Sequence, residues 1–275
     1  MKKARKLGFE ILGVLFTIVV FWVPFYFIIV NSGKNASEAS LLNLSWPSAT
    51  YYWENMKAVI EARDYMLIRA FFNSTVLTLV SIVILIVLAA MAAYVLQRRQ
   101  DRATPFMNFL ILAGLIIPPA IVPTIWVMDG IGLFKTMTGL ILIEVALSFP
   151  FAVLLYKGFM ATIPREVDEA AVIDGSGGAR LFFSIILPLL QPVTATVVVV
   201  SAVNIFNDFT NPLYFLPGSK NVTVQLTLYN FQSQFTTQYN LLFMNILLIT
   251  IPPLILFLIF NKRIVAGMTA GSVKG

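Results

Sequence analysis

The sequence predicts an all-α integral membrane protein with six transmembrane helices, and three observations carry this prediction. Of the 275 residues, 59% are hydrophobic and only 12% are charged, and the mean hydropathy is +0.86. A soluble domain has about 25% charged residues. The apolar residues gather in stretches of about 20 or more, which is the length that a membrane-spanning helix needs. The basic residues concentrate between alternate stretches.

The six predicted spans cover residues 8–30, 71–96, 106–127, 139–159, 189–209 and 241–260. The first span follows Lys2, Lys3, Arg5 and Lys6, as the apolar region of a signal peptide would. Such a region has about 7–15 residues and ends at a small-residue cleavage site. This run is longer and lacks an Ala-x-Ala site at its end. We therefore interpret it as a retained span, with a cleaved signal peptide as the alternative.

The distribution of basic residues predicts the orientation of the chain. An N-terminus in the cytoplasm leaves six basic residues on the outer side, namely Lys34, Lys57, Arg63, Arg69, Lys135 and Lys220. The remaining 13 of the 19 lysines and arginines then lie on the cytoplasmic side. Because cytoplasmic loops carry the excess of positive charge, both termini and residues 160–188 are expected in the cytoplasm of a cell-membrane protein.

Prolines interrupt several predicted spans. A proline inside a helix removes a backbone donor and kinks the helix. In lipid, the freed carbonyl groups need a protein partner or a water-lined cavity, so the prolines favour a bundle that encloses a path. Local adjustment within an ordinary packed bundle is the alternative. The residues concerned are Pro118, Pro119, Pro123, Pro150, Pro252 and Pro253.

Two predicted outer segments, residues 31–70 and 210–240, are long and rich in aromatic side chains. Tryptophan and tyrosine favour the membrane–water interface, which predicts an aromatic belt with surface helices. A docking surface for an external partner is the alternative. The residues that support either interpretation include Trp46, Tyr51, Tyr52, Trp53, Tyr214 and Tyr229.

Residues 160–188 form a polar, glycine-rich segment between the fourth and fifth spans. Pro164 suits the first position of a helix, and acidic residues follow in its opening turns. Gly175 suits a left-handed helix cap, and Ser176 suits the N-cap of a second helix that leads into the fifth span. We expect a bent pair of short helices, with the small Ala170 and Ala171 giving access to the surface of the first.

Seven residues in this segment reproduce the spacing E-A-A-x3-G-x9-I-x-L-P. They are Glu169, Ala170, Ala171, Gly175, Ile185, Leu187 and Pro188. This pattern resembles the signature loop of the membrane subunits of binding-protein-dependent ABC importers. Further stretches, among them FNDFTNPLYFL, TLYNF and the tail NKRIVAGMTAGSVKG, resemble the second permease of maltose-type carbohydrate importers. The similarity extends over residues 7–275.

The resemblance implies a single permease domain over residues 1–275 with the type I ABC importer permease fold. It implies a heterodimer with a longer sister permease, two cytoplasmic ATPase subunits that bind ATP and Mg, and an external sugar-binding protein. The segment from Glu169 through Asp174 to Gly175 is expected to dock in an ATPase cleft, and the loop of residues 160–188 to couple the ATPase to the spans. Further ATPase contacts are expected from the tail residues Gly267, Thr269, Gly271 and Lys274.

The residues themselves also argue against catalysis by this chain. Cysteine and histidine are absent, which excludes thiolate and imidazole metal sites and nucleophiles that depend on either residue. The phosphate-binding pattern G-x-x-x-x-G-K-[ST] does not occur. No basic–aromatic patch for nucleic acid is present. We therefore expect a transport subunit without a cofactor of its own and with ATP hydrolysis in a partner.

Polar residues within the spans are candidates for contact with the transported solute, because sugars need hydrogen-bonding groups. Serine and asparagine in spans also serve helix packing, which stays open as the alternative. Glu144 is the one carboxylate predicted well inside a span, where an ionisable residue suggests a functional site; snorkelling or pairing is its alternative. The candidates are Asn73, Ser74, Thr75, Glu144, Ser148, Ser201, Asn204, Asn207 and Asp208.

Rival interpretations remain at this level. A gradient-driven secondary transporter would use Glu144 or Asp208 for coupling, but it leaves the signature loop unexplained. A regulatory subunit would be dispensable for transport. The same importer architecture could also carry glycerol phosphate or another polar solute, although no basic residue lies deep in a predicted span.

Overall fold

The computed structural model describes residues 2–99, 101–218, 220–232 and 237–270. Within these ranges the chain is helical, and its extended pairing is limited to an isolated antiparallel bridge between Gln232 and Thr237. The chain divides into two compact units. The first contains residues up to Phe71 and Val224–Ile251, and the second contains Phe72–Thr223 and the residues from Pro252 onward.

The helices are numbered in chain order. The longer ones are α1 (Lys2–Thr17), α2 (Val23–Ser32), α4 (Tyr52–Arg98), α5 (Ala103–Ile116), α6 (Ile121–Gly130), α7 (Met137–Met160), α8 (Glu166–Ile173), α11 (Gln191–Asn207) and α13 (Tyr239–Ala270). Short elements complete the set, namely α3 (Ala36–Ala39), α9 (Gly178–Arg180), α10 (Leu187–Leu189), α12 (Thr210–Phe215), the π-helices Ile18–Trp22 and Leu181–Ile186, and the 3-10 helix Gln225–Phe231.

In the part of the chain that the structure describes, three helical stretches are long and apolar enough to cross a membrane, namely Glu10–Ser32, Tyr52–Arg98 and Met137–Met160. Two bent pairs, Ala103–Ile116 with Ile121–Gly130 and Gly178–Leu189 with Gln191–Asn207, raise this number to five if each pair is one span. The apolar helix Tyr239–Ile255 lies in the region of the predicted sixth span.

The first predicted span is a continuous helical stretch, because α1, the π-helix and α2 follow one another with helical backbone at their junctions. The second lies within α4, which is interrupted at residues 62–65. Arg63, Asp64 and Tyr65 adopt left-handed conformations there, with φ of 48°, 57° and 54°. Half of the predicted outer segment 31–70 is therefore helical, ahead of the span itself.

The predicted third span, residues 106–127, is divided between two helices at its prolines. Helices α5 and α6 meet at an angle of 114° across residues 117–120. Ile117 is extended, with φ −78° and ψ 120°, as the residue before a proline prefers. Pro118 and Pro119 then withhold two consecutive backbone donors, so the helix ends instead of kinking. Pro123 falls in the first turn of α6, where its missing N–H costs no helical bond.

The prolines of the other spans leave their helices intact. Pro150 lies inside α7 and packs against Gly114 of α5, where a Cβ would come within 2.8 Å of the Pro150 ring. Pro252 and Pro253 lie inside α13, which continues ten residues past the predicted end at residue 260. The predicted fifth span, residues 189–209, corresponds to α11. A bend of 76° separates α11 from the helical segment that ends at Leu189.

The first unit is closed by a cluster of amides around a buried lysine. The Lys34 ammonium donates to Asn31 Oδ1 at 3.0 Å, and to the backbone oxygen and Oδ1 of Asn43 at 3.0 and 2.8 Å. Asn55 donates to the Ser32 and Lys34 carbonyls, both at 2.8 Å. Neutral oxygens thus hold this cation in place, and burial lowers the pKa of Lys34.

The core of the second unit lies between α4, α7, α11 and the segment that follows α8. Its fully buried side chains include Leu77, Leu85, Leu140, Tyr156, Met160, Ile186 and Leu190. The Tyr156 hydroxyl donates to Thr194 Oγ1 at 3.0 Å, which joins α7 to α11. This core supports two regions of the second unit. Helix α8 rests on one part of it, and α7 and α11 form the walls of a cavity.

Candidate functional sites: the α8 loop and a polar cavity

The α8 loop, residues 160–188, begins with a turn and not with the helix itself. The Val167 N–H bonds to the Pro164 carbonyl at 3.4 Å, and α8 runs from Glu166 to Ile173. The predicted start at Pro164 is therefore two residues too early, since Arg165 occupies the N-cap position. Acidic residues do fill the first turn, where they complement the positive end of the helix.

Gly175 ends α8 in the left-handed conformation that the sequence predicted, with φ of 78°. The Ser176 N–H bonds to Ala171 O at 2.9 Å, and the Gly175 N–H bonds to Val172 O at 3.0 Å. These are the two bonds of a Schellman motif, which is how a glycine commonly closes a helix. The predicted N-cap at Ser176 is wrong, because its N–H belongs to this motif and the next helix starts after the extended Gly177.

An ion pair fixes α8 to the end of α4. The carboxylate of Asp168 lies 2.7 Å from Arg98 Nη2, and only 14% and 15% of the Arg98 and Asp168 side chains are exposed. The Tyr94 hydroxyl donates to Asp168 Oδ1 at 2.9 Å. Arg98 also donates from Nη1 and Nη2 to the Ile163 carbonyl, at 3.2 Å each. The loop is therefore held by a planar group with several bonds, which suits arginine better than lysine.

The sequence patterns do not predict this anchor. Arg98 is one of the 13 basic residues expected on the cytoplasmic side, and no motif includes Tyr94. Both residues are separated from Asp168 by a long stretch of chain, and no local pattern indicates which basic residue pairs with which acidic one. An aromatic hydroxyl and an arginine one turn apart at the end of a span are the available signal.

The two faces of α8 differ sharply in exposure. Ala171 is 5% exposed and belongs to the core cluster with Leu181 and Phe182, so the expectation that it gives access to the helix surface is wrong. Val172 is 60% exposed and Ile173 is 85% exposed. Two neighbouring apolar side chains are thus presented outward by a helix whose other face is packed.

The remaining signature residues differ in burial. Ile185 and Leu187 are half-buried and lie against the core. The exposed ones are Glu169, Ala170, Gly175 and Pro188, and Asp174, which was also expected in the ATPase contact, is exposed too.

A polar cavity of about 500 Å³ lies in the second unit, between α7 and the segment formed by α11 and α12. Its apolar lining comes from Leu147, Phe151 and Val203. Its polar lining comprises Glu144, Ser148, Ser201, Asn204, Asn207, Asp208 and Asn211. The structure therefore places six of the nine predicted pathway residues around a single space, to which Asn211 and Phe151 are additions that sequence reasoning missed.

Glu144 is buried and takes its partners from the start of α12. Asn211 Nδ2 donates to Glu144 Oε1 at 3.2 Å, and the Asp208 carboxyl lines the same cavity. Asp208 in turn accepts from the backbone N–H groups of Thr210 at 2.8 Å and Asn211 at 3.3 Å. Of the alternatives for Glu144, pairing describes this geometry and snorkelling does not.

The three predicted residues at the start of the second span lie outside the cavity. Asn73 Nδ2 donates to the Val222 carbonyl at 3.0 Å. Ser74 is buried, and Thr75 is exposed. Asn73 thus bonds to the loop that precedes the 3-10 helix and does not line the cavity.

Two further sequence predictions meet the limits of the described residues. Gly267 and Thr269 belong to α13, whereas Gly271 and Lys274 lie outside the described residues. Where the structure describes side chains, no group of three or more carboxylates is arranged to hold a metal ion.

Comparison with known proteins identifies the class and then the family. The structure aligns with a chain of a bacterial ABC transporter involved in the import of the acidic polysaccharide alginate, with a TM-score of 0.82 over 95% of this chain and 98% of that chain. At 18% identity this likeness shows a shared importer permease fold. A family model described as the inner membrane component of binding-protein-dependent transport systems matches residues 85–270, and the chain belongs to this family.

Two full-length relatives are named as sugar transport permeases. The melibiose/raffinose/stachyose import permease protein MelC of Bacillus subtilis is 32% identical over 100% of both chains. The multiple sugar-binding transport system permease protein MsmG of Streptococcus mutans is 30% identical over 100% of both chains. This chain is accordingly a multi-pass cell-membrane component of a binding-protein-dependent importer. Like its relatives, it is a transport subunit and not an enzyme.

Proposed function

We propose that this chain forms half of the translocation pathway of an ATP-driven importer for a sugar or oligosaccharide, beside a longer sister permease. The observation that carries the proposal is α8, a short helix fixed from behind by the Asp168–Arg98 ion pair and presenting Val172 and Ile173 outward. Exposed neighbouring apolar side chains on a rigid support are typical of a protein contact. The partner proposed for this contact is one of two cytoplasmic ATPase subunits, which would bind ATP and Mg.

The proposed topology has six spans within one permease domain and both termini in the cytoplasm. The three long apolar stretches, the two bent pairs and α13 are the six candidates. The excess of basic residues on the side of residues 160–188 supports this orientation. The tail after α13, with Gly271 and Lys274, is proposed to reach the ATPase subunits from the same side.

The coupling step follows from the way α8 is attached. A load on Val172 and Ile173 passes through Asp168 and Arg98 to α4, and through the packed Ala171 to the helix that leads into α11. Closure of two ATPase subunits on ATP would draw two such loops together and open the bundle outward, and hydrolysis would reset it. ATP drives this switch only by binding the two states with different affinities.

The cavity between α7 and α11 is the proposed solute site of this subunit. Its asparagine and serine groups can donate to and accept from sugar hydroxyls, and its apolar wall suits the flat face of a sugar ring. A saccharide cargo is proposed because both full-length relatives are named for sugars.

Crosslinking from α8 tests the ATPase contact. The chain has no cysteine, so an Ile173→Cys variant carries a single thiol on the most exposed apolar residue of the helix. In native membranes a bifunctional thiol reagent should capture a protein that carries the phosphate-binding pattern absent here, identified by mass spectrometry. Ala171→Cys, two residues earlier on the buried face, is the matched control and should capture at least about tenfold less, since burial restricts reagent access.

Labelling of the I173C thiol without capture of any nucleotide-binding protein would contradict this proposal. A gradient-driven carrier would then be the better interpretation, and Glu144 would be the residue to replace next. The cargo is a separate question. It is tested by stimulation of ATPase activity in the reconstituted complex with its binding protein, measured across neutral sugars and glycerol phosphate.

A further inference from the structure

The described lining of the cavity between α7 and α11 contains two carboxyl groups without a basic partner. Glu144 of α7 and Asp208, which follows α11, line the same space. No lysine or arginine lies among the described residues that line the cavity. The donors that reach this pair are the Asn211 side chain and the backbone N–H groups of Thr210 and Asn211.

A second, independent feature of the cavity is a buried hydroxyl. Ser201 lines the cavity from α11, and its side chain is 3% exposed. A hydroxyl at the wall of a cavity can donate to or accept from a solute hydroxyl. Asn204, one turn further along α11, lines the same space, and Phe151 adds an aromatic face from α7.

We propose that this cavity is a charge-selective saccharide subsite, in which the carboxyl pair and Ser201 bind the hydroxyl groups of a neutral sugar and the pair rejects anionic solutes. The inference rests on the proposed function and adds to it the chemical class of the solute. It separates neutral sugars from phosphorylated and carboxylated ones, which the sequence alone left open.

The selectivity follows from the chemistry of the two classes of solute. A sugar hydroxyl donates to a carboxylate and accepts from a serine or amide, so a neutral sugar satisfies both kinds of lining group. A phosphate or uronate brings further negative charge into a cavity that already holds two carboxyl groups, and it finds no cation on the described lining to offset it. Repulsion between like charges in a partly desolvated site is strong, and building such repulsion is a common way of excluding a competitor.

Charged thiol reagents report the electrostatic potential inside the cavity, and this measurement does not require the cargo to be known. Asn204→Cys places a thiol on the cavity wall, and Trp46→Cys provides an exposed reference in the first unit. The complex is purified with its partner subunits and reacted with a trimethylammonium or a sulfonate methanethiosulfonate. We expect the cation-to-anion rate ratio of N204C to exceed that of W46C by at least about tenfold, because a nearby charge enriches one reagent and excludes the other.

Neutralising the pair shows whether it is the source of the field. In N204C combined with Glu144→Gln and Asp208→Asn, the ratio should fall to within about twofold of the W46C value, since the charge is gone and the shape is kept. A ratio that stays high in this variant overturns the role of the pair. A ratio at N204C that equals the reference before any neutralisation overturns it as well, and that measurement needs no change at either carboxyl.

Protection by sugars tests the saccharide assignment. Raffinose serves as the neutral probe and trigalacturonic acid as the acidic one, and raffinose alone should slow labelling of N204C. Equal protection by both probes overturns charge selection, and protection by neither overturns the saccharide assignment. ATPase capture through I173C does not depend on either result, so failure of the subsite and failure of the proposed importer are distinguishable.

Discussion

Asp168 and Asp208 are both carboxylates of the second unit, but their partners differ. Asp168 meets the guanidinium of Arg98 and the hydroxyl of Tyr94, so its charge is cancelled within the protein. Asp208 accepts from backbone amides and lines a cavity together with a second carboxyl, Glu144. A carboxylate that is paired within the chain, as Asp168 is, holds two helices together. A carboxyl that lines a cavity, as Asp208 does, remains available to a solute.

The same distinction separates the two apolar surfaces of α8. Ala171 completes the core of its own chain and supports the helix, whereas Ile173 has no such neighbour and is presented outward. In both comparisons the role of a residue follows from its contacts and not from its type. A variant that removes one kind of contact and keeps the other therefore tests each assignment.

The largest effect is expected from Arg98→Ala. Removing one partner of a mostly buried ion pair leaves the other charge uncompensated, which costs about 3–5 kcal/mol. Detachment of α8 from α4 should lower transport at least about a hundredfold, by that free energy, while ATP hydrolysis continues. The measurement is the ratio of solute transported to ATP hydrolysed in the reconstituted complex.

The matched control for this prediction is Arg99→Ala. Arg99 is the next residue and also pairs with an aspartate, Asp101, at 2.9 Å, but both side chains are well exposed. Exposed pairs contribute about 0–1 kcal/mol, so R99A should remain close to the wild-type ratio. Equal loss in R98A and R99A would show that general positive charge near α8 is required and that the ion pair is not.

Local rules explain how far the α8 loop could be predicted from the sequence. An acidic first turn and a glycine followed by polar residues determine a short helix and its left-handed cap, and both were found. The cap of the following helix was misplaced, because Ser176 has two possible roles and the Schellman motif takes it. The Arg98 anchor depends on how α4 and α8 pack, which local rules do not contain.

The cavity shows the same limit on a larger scale. The sequence marked polar residues in spans one at a time, and six of them share a cavity because α7 and α11 pack side by side. The residues at the start of the second span look similar in sequence, but they lie elsewhere. The third span shows a related limit. Pro118 and Pro119 predict an interruption of the helix, but the angle of 114° between α5 and α6 depends on how these helices pack.

A smaller effect is expected from Gly175→Val. No atom lies within 4 Å of a Cβ at this position, so the cost arises from the left-handed backbone and amounts to about 1–2 kcal/mol. The variant should insert normally and lower the ratio of transport to ATP hydrolysis about tenfold, since 1.4 kcal/mol is a factor of ten. Gly177→Val is the control, because Gly177 has equal space and a φ of −70°. If G177V is as impaired as G175V, side-chain bulk against the ATPase is responsible and backbone conformation is not.

The smallest effect is expected from Asn211→Ala, which separates hydrogen bonding from charge in the cavity. The variant removes the donor to Glu144 Oε1 and keeps both carboxyls. A single hydrogen bond contributes about 1 kcal/mol, so transport of the neutral cargo should fall several-fold while the reagent rate ratio at N204C stays high. The double variant Glu144→Gln with Asp208→Asn has the opposite signature, since the introduced glutamine retains an acceptor for Asn211 while both carboxyls are removed. If N211A collapses the rate ratio as fully as the neutralised pair does, the asparagine orders the whole cavity, and the field at N204C cannot be assigned to the carboxyls alone.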